Sequence, residues 1–206
     1  LIQPSYLQDR GSQIETTFRY LENNFDGAIY VSYLGDDSEY VDDRYKILVD
    51  HKHQVNPNLF IDTHYEKISD KDFYDDFGSG IAGVSTTHGS RYIKATYQKN
   101  DWRVYSEFSG YQTFDKSLTN ESEPYDLLPK IEISKRWDRD LANLDILTSI
   151  TEWDHDYETK VDGTRSDIQF GIDRTFFMKG LEITPRIKIQ HTQYNLDNQV
   201  SGLSLI

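Results

Sequence analysis

The chain has 206 residues, a net charge of −13 and no cysteine, and 36% of its residues are apolar. Zero cysteine excludes disulfides, thiolate metal sites and thiol nucleophiles, and the acidic balance disfavours binding to nucleic acid, whose phosphates would repel it. Aromatic residues make up 14% of the chain, more than disordered chains carry, and no run of about 18 apolar residues indicates a membrane-spanning helix.

Alternation of apolar and polar residues dominates the chain and indicates strands. The pattern predicts about eleven strands near 1–8, 12–22, 27–34, 44–54, 58–68, 89–99, 101–109, 127–136, 144–151, 164–176 and 182–190. Strands of roughly ten residues exceed the ~5–6 of ordinary sheets and match the length that a tilted strand needs to cross a bilayer. No segment is predicted to form a helix that covers the sheet. The fold class predicted is an all-β, antiparallel transmembrane β-barrel segment.

The connections between these strands alternate between short and long. Short turns are predicted at 56–58, 99–101, 138–140 and 178–180, and long loops at 35–43, 69–88, 115–126 and 152–164. Outer-membrane barrels show this asymmetry, with short periplasmic turns and long extracellular loops. The long loops hold 18 of the 35 acidic residues and three lysines, a net charge of −15. Ordinary solvation explains acidic loops at least as well as a binding role does.

The two faces of the strands have opposite assignments in water and in a membrane. A sheet in water buries its apolar face, whereas a barrel turns its apolar face to lipid and its polar face to the lumen. The densely ionic polar face and the aromatic residues near strand ends favour the barrel. We predict that Ile131, Ile133, Ile146, Ile150, Ile187 and Ile189 face lipid. The predicted lumen-lining residues are Glu15, Arg19, Lys46, Asp62, Lys94, Arg103, Glu107, Lys130, Glu132, Arg136, Asp145, Arg186 and Lys188.

The densest acidic clusters of the loops are candidate sites for divalent cations. Carboxylate oxygens are hard ligands that suit Ca²⁺ and Mg²⁺, and the alternative is solvated surface with weak, non-specific ion binding. The candidates are Asp36, Asp37, Asp42, Asp43, Asp75 and Asp76. No other cofactor is expected.

Motifs for catalysis are weak, and we predict that the chain is not an enzyme. Asp154-His155-Asp156 contains residue types that activate water, but neighbours on an extended loop point in different directions, so a solvated loop histidine is the better interpretation. His51 and His53 share one strand face without an evident third metal ligand, which favours surface residues. The sequence has no nucleotide-binding glycine loop and no nucleophile elbow.

Several local runs resemble the LptD family of lipopolysaccharide (LPS) assembly proteins, also called organic solvent tolerance proteins. The early runs Pro4-Ser5-Tyr6-Leu7-Gln8-Asp9-Arg10-Gly11 and Phe18-Arg19-Tyr20-Leu21 are similar to a barrel hairpin of that family. The resemblance continues at Tyr65-Glu66-Lys67-Ile68-Ser69-Asp70 and Tyr74-Asp75-Asp76-Phe77-Gly78, and more diffusely at Tyr111-Gln112-Thr113-Phe114 and Glu123-Pro124-Tyr125. It implies that residues 1–206 form the N-terminal half of the family's larger barrel domain, without the periplasmic domain and the closing strands.

The resemblance also implies a function. The family transports LPS to the outer leaflet of the bacterial outer membrane, with the lipoprotein LptE as a plug and an LptA bridge that docks on the periplasmic domain. The expected partners are therefore LPS, LptE, LptA and outer-membrane lipid, and no nucleic acid. An outer-membrane porin for sugars or other small hydrophilic solutes is the alternative, since the near balance of acids and bases on the polar face also fits a hydrated pore. A soluble β-sandwich that binds carbohydrate is a third possibility.

Overall fold

Antiparallel strands form nearly all of the structure, a computed structural model that describes residues 1–77 and 87–198. The strands are β1 (Ile2–Leu7), β2 (Gly11–Leu21), β3 (Phe25–Asp37), β4 (Asp42–Asn56), β5 (Leu59–Ile68), β6 (His88–Lys99), β7 (Trp102–Thr113), β8 (Asp126–Trp137), β9 (Asn143–Asp154), β10 (Gly163–Asp173), β11 (Phe176–Met178), β12 (Leu181–Ile183) and β13 (Arg186–Leu196). A short helix α1 (Phe73–Phe77) and a 3₁₀ turn (Asn120–Ser122) lie between strands. No helix within the described ranges has both the length and the apolar character needed to span a membrane.

Eleven of the described strands belong to one sheet. Their hydrogen-bonded order is β1-β2-β3-β4-β5-β6-β7-β8-β9-β10-β13, and β11 and β12 form a separate two-stranded sheet. The prediction of an all-β chain with about eleven long strands is therefore confirmed. Contacts divide the chain into two compact units, unit 1 (Leu1–Ile93 and Ser109–Tyr125) and unit 2 (Lys94–Phe108 and Asp126–Ile206).

In unit 1, the register of β2 to β5 sorts the side chains onto two faces. Residues that lie directly opposite each other on paired strands point to the same face. Glu15 lies opposite Ser32, which lies opposite Lys46, and this row defines the polar face. Phe18 lies opposite Ile29 on the other face, where β-branched and aromatic residues provide the strand propensity.

In unit 2, the register of β8, β9, β10 and β13 gathers many apolar side chains on one face. Ile131 lies opposite Ile150, and Ile146 lies opposite Phe170, which in turn lies opposite Ile189. The alternate positions on the same strands carry polar and charged side chains. The alternation in the sequence thus corresponds to a division of the side chains between the two faces of the sheet.

The prediction of a long loop at 35–43 was wrong, because most of these residues belong to strands. β3 continues to Asp37 and β4 begins at Asp42, and these two residues pair with each other. A bulge between Leu34 and Asp37 accommodates the irregular register, and Asp36 adopts a φ of 49°, which aspartate tolerates better than most residues. Only residues 38–41 remain as loop.

The short helix α1, which packs in unit 1, was not predicted from the sequence. Phe73 is buried in an apolar cluster with Ile68 and Phe114, and Tyr74 and Phe77 pack against it. Phe73 and Phe77 are four residues apart and therefore lie on the same side of a helical turn. Burial of this aromatic side compensates for the short length of the helix.

The predicted strand at 164–176 is shorter than expected. β10 ends at Asp173, and β11 and β12 form a small hairpin before β13. The turn predicted at 178–180 is confirmed between Met178 and Leu181, where Gly180 has a φ of 74° that favours glycine.

Candidate functional site

The apolar face of unit 2 is exposed. The register places the six isoleucines named in the sequence analysis on one face, as predicted. Ile150 is 48% exposed, Phe170 51% and Ile189 69%. Exposed apolar side chains grouped on one face are unfavourable in water, and such patches are typical of surfaces that contact lipid or another protein.

Buried apolar side chains are few and lie elsewhere. Within the described ranges they are Leu34, Ile68, Phe73 and Phe114, all in unit 1. A β-sandwich would bury its isoleucine rows between two sheets. The exposed rows therefore argue against the sandwich that the alternation alone permitted.

The polar face of unit 2 carries ion pairs that reach across an intervening strand, from β8 to β10 and from β9 to β13. Arg136 donates two hydrogen bonds of 3.1 Å each to the carboxylate of Asp173, and Arg186 donates to Asp145 at 2.7 Å. Six predicted lumen-lining residues lie on this face, opposite to the isoleucines: Lys130, Glu132, Arg136, Asp145, Arg186 and Lys188. Their charges are largely neutralised within the sheet.

Three further predicted lumen residues lie on β6 and β7 of unit 2. Lys94 Nζ lies 3.8 Å from Glu107 Oε1, and Glu107 accepts a hydrogen bond of 2.6 Å from the Tyr105 hydroxyl. The guanidinium of Arg103 lies 6.0 Å from the centre of the Tyr105 ring. Charged groups and tyrosine hydroxyls are thus interleaved on these strands.

In unit 1, the register places Glu15, Arg19, Lys46 and Asp62 on one polar face. The Tyr30 hydroxyl donates to Glu15 at 2.5 Å, and Lys46 Nζ lies 3.5 Å from Glu66. The predicted set therefore shares a face in this unit as well. That this face lines a lumen stays a prediction.

An arginine cluster, which we define as Arg10, Asp37, Arg44, Asp70 and Asp76, lies at one end of the strands of unit 1. Arg44 and Asp37 are fully buried. Arg44 binds Asp70 through two hydrogen bonds of 3.0 and 2.8 Å, lies 3.4 Å from Asp37 and donates to Asp76. Arg10 donates to Asp37 and to Asp76 at 3.1 Å each. The end of β3 and the connection after β5 thus converge on two guanidinium groups.

Aromatic rings enclose the buried guanidinium of the arginine cluster. Arg44 Cζ lies 4.6 Å from the centre of the Tyr40 ring and 4.8 Å from that of Phe77. The planar, weakly hydrated guanidinium suits such stacking better than an ammonium group does. The rings exclude water from the ion pairs, which strengthens them.

The electrostatics of the arginine cluster favour its ionised form. Burial by itself would raise the pKa of Asp76, but hydrogen bonds from Arg44 and Arg10 outweigh burial and hold that pKa below its ordinary value. The hydrogen bond to Asp76 raises the pKa of Arg10 despite partial burial. Asp76 and Arg10 are therefore both charged at neutral pH.

Helix α1 lies against the polar face of unit 1. The Tyr74 hydroxyl donates to Glu66, and Lys46 Nζ lies 4.6 Å from the centre of the Tyr74 ring. On the other side of the helix, Lys116 pairs with Asp72 and, at 2.6 Å, with Asp75. Residues 72–77 are therefore held in place by contacts on both sides of the helix.

Sequence reasoning missed Arg10, Arg44, Asp70 and Tyr74 as site residues. Two signals were present: Arg44 continues the alternation that includes Lys46, and the spacing of Phe73 and Phe77 is that of one helical turn. Neither signal identifies the partner of Arg44, because Asp70 lies 26 residues away.

Five of the six candidate cation-binding aspartates use their carboxylates for contacts within the protein. Asp37 and Asp76 belong to the arginine cluster, and Asp75 pairs with Lys116. Asp43 accepts hydrogen bonds from the Asp36 N–H at 3.0 Å and the Tyr33 hydroxyl at 2.7 Å, and Asp42 accepts from the Asp43 N–H at 2.8 Å. In residues 1–77 and 87–198, no group of three or more His, Asp or Glu residues is arranged to hold a metal ion. Cation binding stays a prediction.

The histidines discussed in the sequence have structural contacts. The expectation that His155 is solvated was wrong: it is 8% exposed, its N–H donates to Asp162 at 2.9 Å and its Nδ1 accepts from the Tyr157 N–H at 3.0 Å. These bonds close the loop after β9. His51 Nδ1 lies 2.7 Å from the Tyr20 hydroxyl, and its ring is 5.6 Å from that of His53.

Comparison with known proteins identifies one family. The family profile described as "LptD: LPS transport system D" matches residues 42–204. Proteins named LPS-assembly protein LptD are similar to nearly the whole chain: that of Nitrosococcus oceani is 30% identical over 98% of it, that of Alkalilimnicola ehrlichii 30% over 97% and that of Vibrio cholerae 25% over 94%. These matches cover 28%, 26% and 25% of the relatives, so the chain spans about a quarter of their length.

Proposed function

The chain belongs to the LptD family of LPS transport proteins, and from that premise we propose that it forms part of an outer-membrane barrel that delivers LPS to the outer leaflet. The observation that supports this function most strongly is the division of unit 2 into an exposed apolar face and an ion-paired polar face. A transmembrane barrel needs both faces, the first for lipid and the second for its lumen.

The chemistry of LPS fits two such faces. LPS is an amphiphile whose sugars are stable in water and whose acyl chains are stable in lipid. In our proposal the sugars move along the hydrated polar face while the membrane surrounds the apolar face. In this proposal the chain guides an amphiphile across the membrane and makes or breaks no covalent bond.

We propose that this chain is one portion of a longer barrel. Within the described ranges β1 has a single hydrogen-bonded neighbour, β2, and β13 has a single one, β10. An unpaired strand edge is costly in hydrocarbon, where water cannot satisfy its backbone groups. In the longer protein, further strands would pair with these edges. An LptE plug inside the barrel and an LptA bridge on a periplasmic domain complete the proposed assembly.

Site-specific photocrosslinking in the full-length protein tests this function. A crosslinker replaces Glu132 on the polar face, and the matched control replaces Ile131, the adjacent residue on the apolar face. After a pulse of newly made LPS, we expect a transient LPS adduct at position 132 that disappears during the chase. If position 132 never captures LPS and the purified protein instead admits small sugars into vesicles, the chain belongs to a porin and the proposal fails.

A further inference from the structure

A polar concavity of about 410 Å³ lies on the polar face of unit 2. It is formed by β8, β9, β10 and β13, and its volume is within the range of ~300–1,000 Å³ that small-molecule pockets occupy. The residues that give it its chemical character are Lys130, Glu132, Trp153, Arg165, Gln169 and Gln190.

The charges in this concavity cancel. Lys130 Nζ lies 3.3 Å from Glu132 Oε1, and Arg165 Nη2 lies 2.5 Å from Asp167 Oδ2. Asp167 also accepts a hydrogen bond of 2.9 Å from the Gln190 amide. An ionic ligand would have to compete with these pairs and would face a nearby charge of its own sign. A neutral ligand has no such cost.

At the same place, two polar groups have no hydrogen-bond partner among the described residues. The Gln169 amide makes no hydrogen bond with another described residue, and Arg165 Nε is buried without a hydrogen-bond partner among the described atoms. An amide offers two donors and one acceptor. It therefore complements hydroxyl groups, which both donate and accept.

One end of the concavity is apolar and aromatic. Trp153 lies opposite Leu127 on the neighbouring strand, and both line the concavity. An indole offers a broad apolar face and one N–H donor. A sugar ring has the matching character, since its C–H groups form a face and its hydroxyls project from the edge.

We propose that this concavity is a binding subsite for neutral saccharide units. Trp153 packs against a sugar ring, while Gln169 and Gln190 hydrogen-bond to its hydroxyls. The inference rests on the proposed function for its natural source, the sugar portion of LPS. The contacts proposed for the sugar depend only on residues of unit 2.

Binding of a free oligosaccharide to the purified full-length protein tests the subsite. The probe is maltopentaose, its binding is followed by saturation-transfer NMR on the sugar, and inorganic phosphate is the charged competitor. We expect Gln169→Leu and Trp153→Ala each to weaken binding at least tenfold and Trp153→Phe to restore part of the loss. The matched control is Gln193→Leu: Gln193 lies opposite Ser166, on the other face of β13, and its replacement should leave the affinity unchanged.

Three results would overturn the subsite: no saturable binding in the millimolar range, equal affinity in the Gln169→Leu and control variants, or displacement of the sugar by phosphate. Heat-dependent gel migration confirms that each variant folds, and Gln169→Leu suffices if Trp153→Ala does not. In each of these cases LPS capture at position 132 can persist, so the proposed function is judged separately. Conversely, sugar binding without LPS capture contradicts only the proposed function.

Discussion

Arg44 and Asp70 form a bidentate ion pair, with Nε–Oδ2 and Nη2–Oδ1 distances of 3.0 and 2.8 Å, in which the arginine has no exposed surface. The pair connects the start of β4 to the segment that leads into α1. Removal of one member of a buried pair leaves an uncompensated charge, which is far more costly than loss of an exposed pair.

Replacement of Arg44 therefore should loosen the α1 segment. We expect Arg44→Met to destabilise unit 1 by roughly 3–5 kcal/mol, because Asp37 and Asp70 lose their buried counter-charge. Arg44→Lys should recover only part of this, since an ammonium cannot bind a carboxylate in two places. Hydrogen exchange of residues 69–77 in the full-length protein measures the effect. Arg19→Met, on the same polar face and without an ion pair in the described ranges, is the control; equal exchange in both variants would contradict the role of Arg44.

The arginine cluster should respond to pH in one direction. The pKa of Asp76 lies below its ordinary value of 3.8, so its stabilising contribution is present above pH 3.8 and is lost as pH falls through the lower value. We expect exchange protection of α1 to be constant from pH 7 to about pH 5 and to fall in strongly acidic solution. Asp76→Asn should reduce protection at neutral pH and flatten the acidic part of the profile. An unchanged profile in that variant would show that Asp76 does not hold the segment.

The strands and their faces could be predicted from the sequence, whereas the loop contacts could not. The alternation around Ile131 and Ile146 reports a local period of two, which depends only on neighbouring residues. The burial of Arg44 depends on Asp37, Asp70 and Asp76, and no local pattern connects these residues. The sequence showed the charge of the acidic loop residues but did not show which arginines pair with them, because those arginines are distant in sequence. Solvated surface was therefore the simplest interpretation.

The polar concavity of unit 2 could also be predicted only in part from the sequence. Lys130 and Glu132 were predicted to lie on the polar face, and they do. Their proximity to Trp153 and Gln169 follows from the register of β8, β9 and β10, including the shift between Leu127 and Lys130. A sequence without pairing information cannot supply that register.

Cation binding by the acidic loops can be tested without disturbing the arginine cluster, because only Asp37 and Asp76 of the six aspartates pair with its arginines. Replacement of Asp36, Asp42 and Asp43 by Asn leaves the arginine cluster intact. If these carboxylates bind Ca²⁺ or Mg²⁺, as hard oxygen ligands do, we expect the ions to slow hydrogen exchange at residues 35–43 in the parent protein and not in the variant. Identical titrations would mean that this stretch binds no ion specifically.

A charge placed on the apolar face should be costly. We expect Ile146→Arg to destabilise the folded protein in vesicles by roughly 2–4 kcal/mol if the position lies near the bilayer midplane. Ser149→Arg is the control on the same strand, because Ser149 lies on the polar face. Denaturant titration in lipid vesicles gives the two values, and equal costs would contradict the assignment of the faces.

The most direct test of the account is the environment of successive side chains on β8. Spin labels at positions 130 to 133 of the full-length protein in vesicles report collisions with oxygen, which dissolves in lipid, and with a water-soluble nickel complex. We expect high oxygen accessibility at Ile131 and Ile133 and high nickel accessibility at Lys130 and Glu132. Low oxygen accessibility at both isoleucines would show that protein covers them, and it would contradict the membrane-facing surface on which the proposed LPS transport depends.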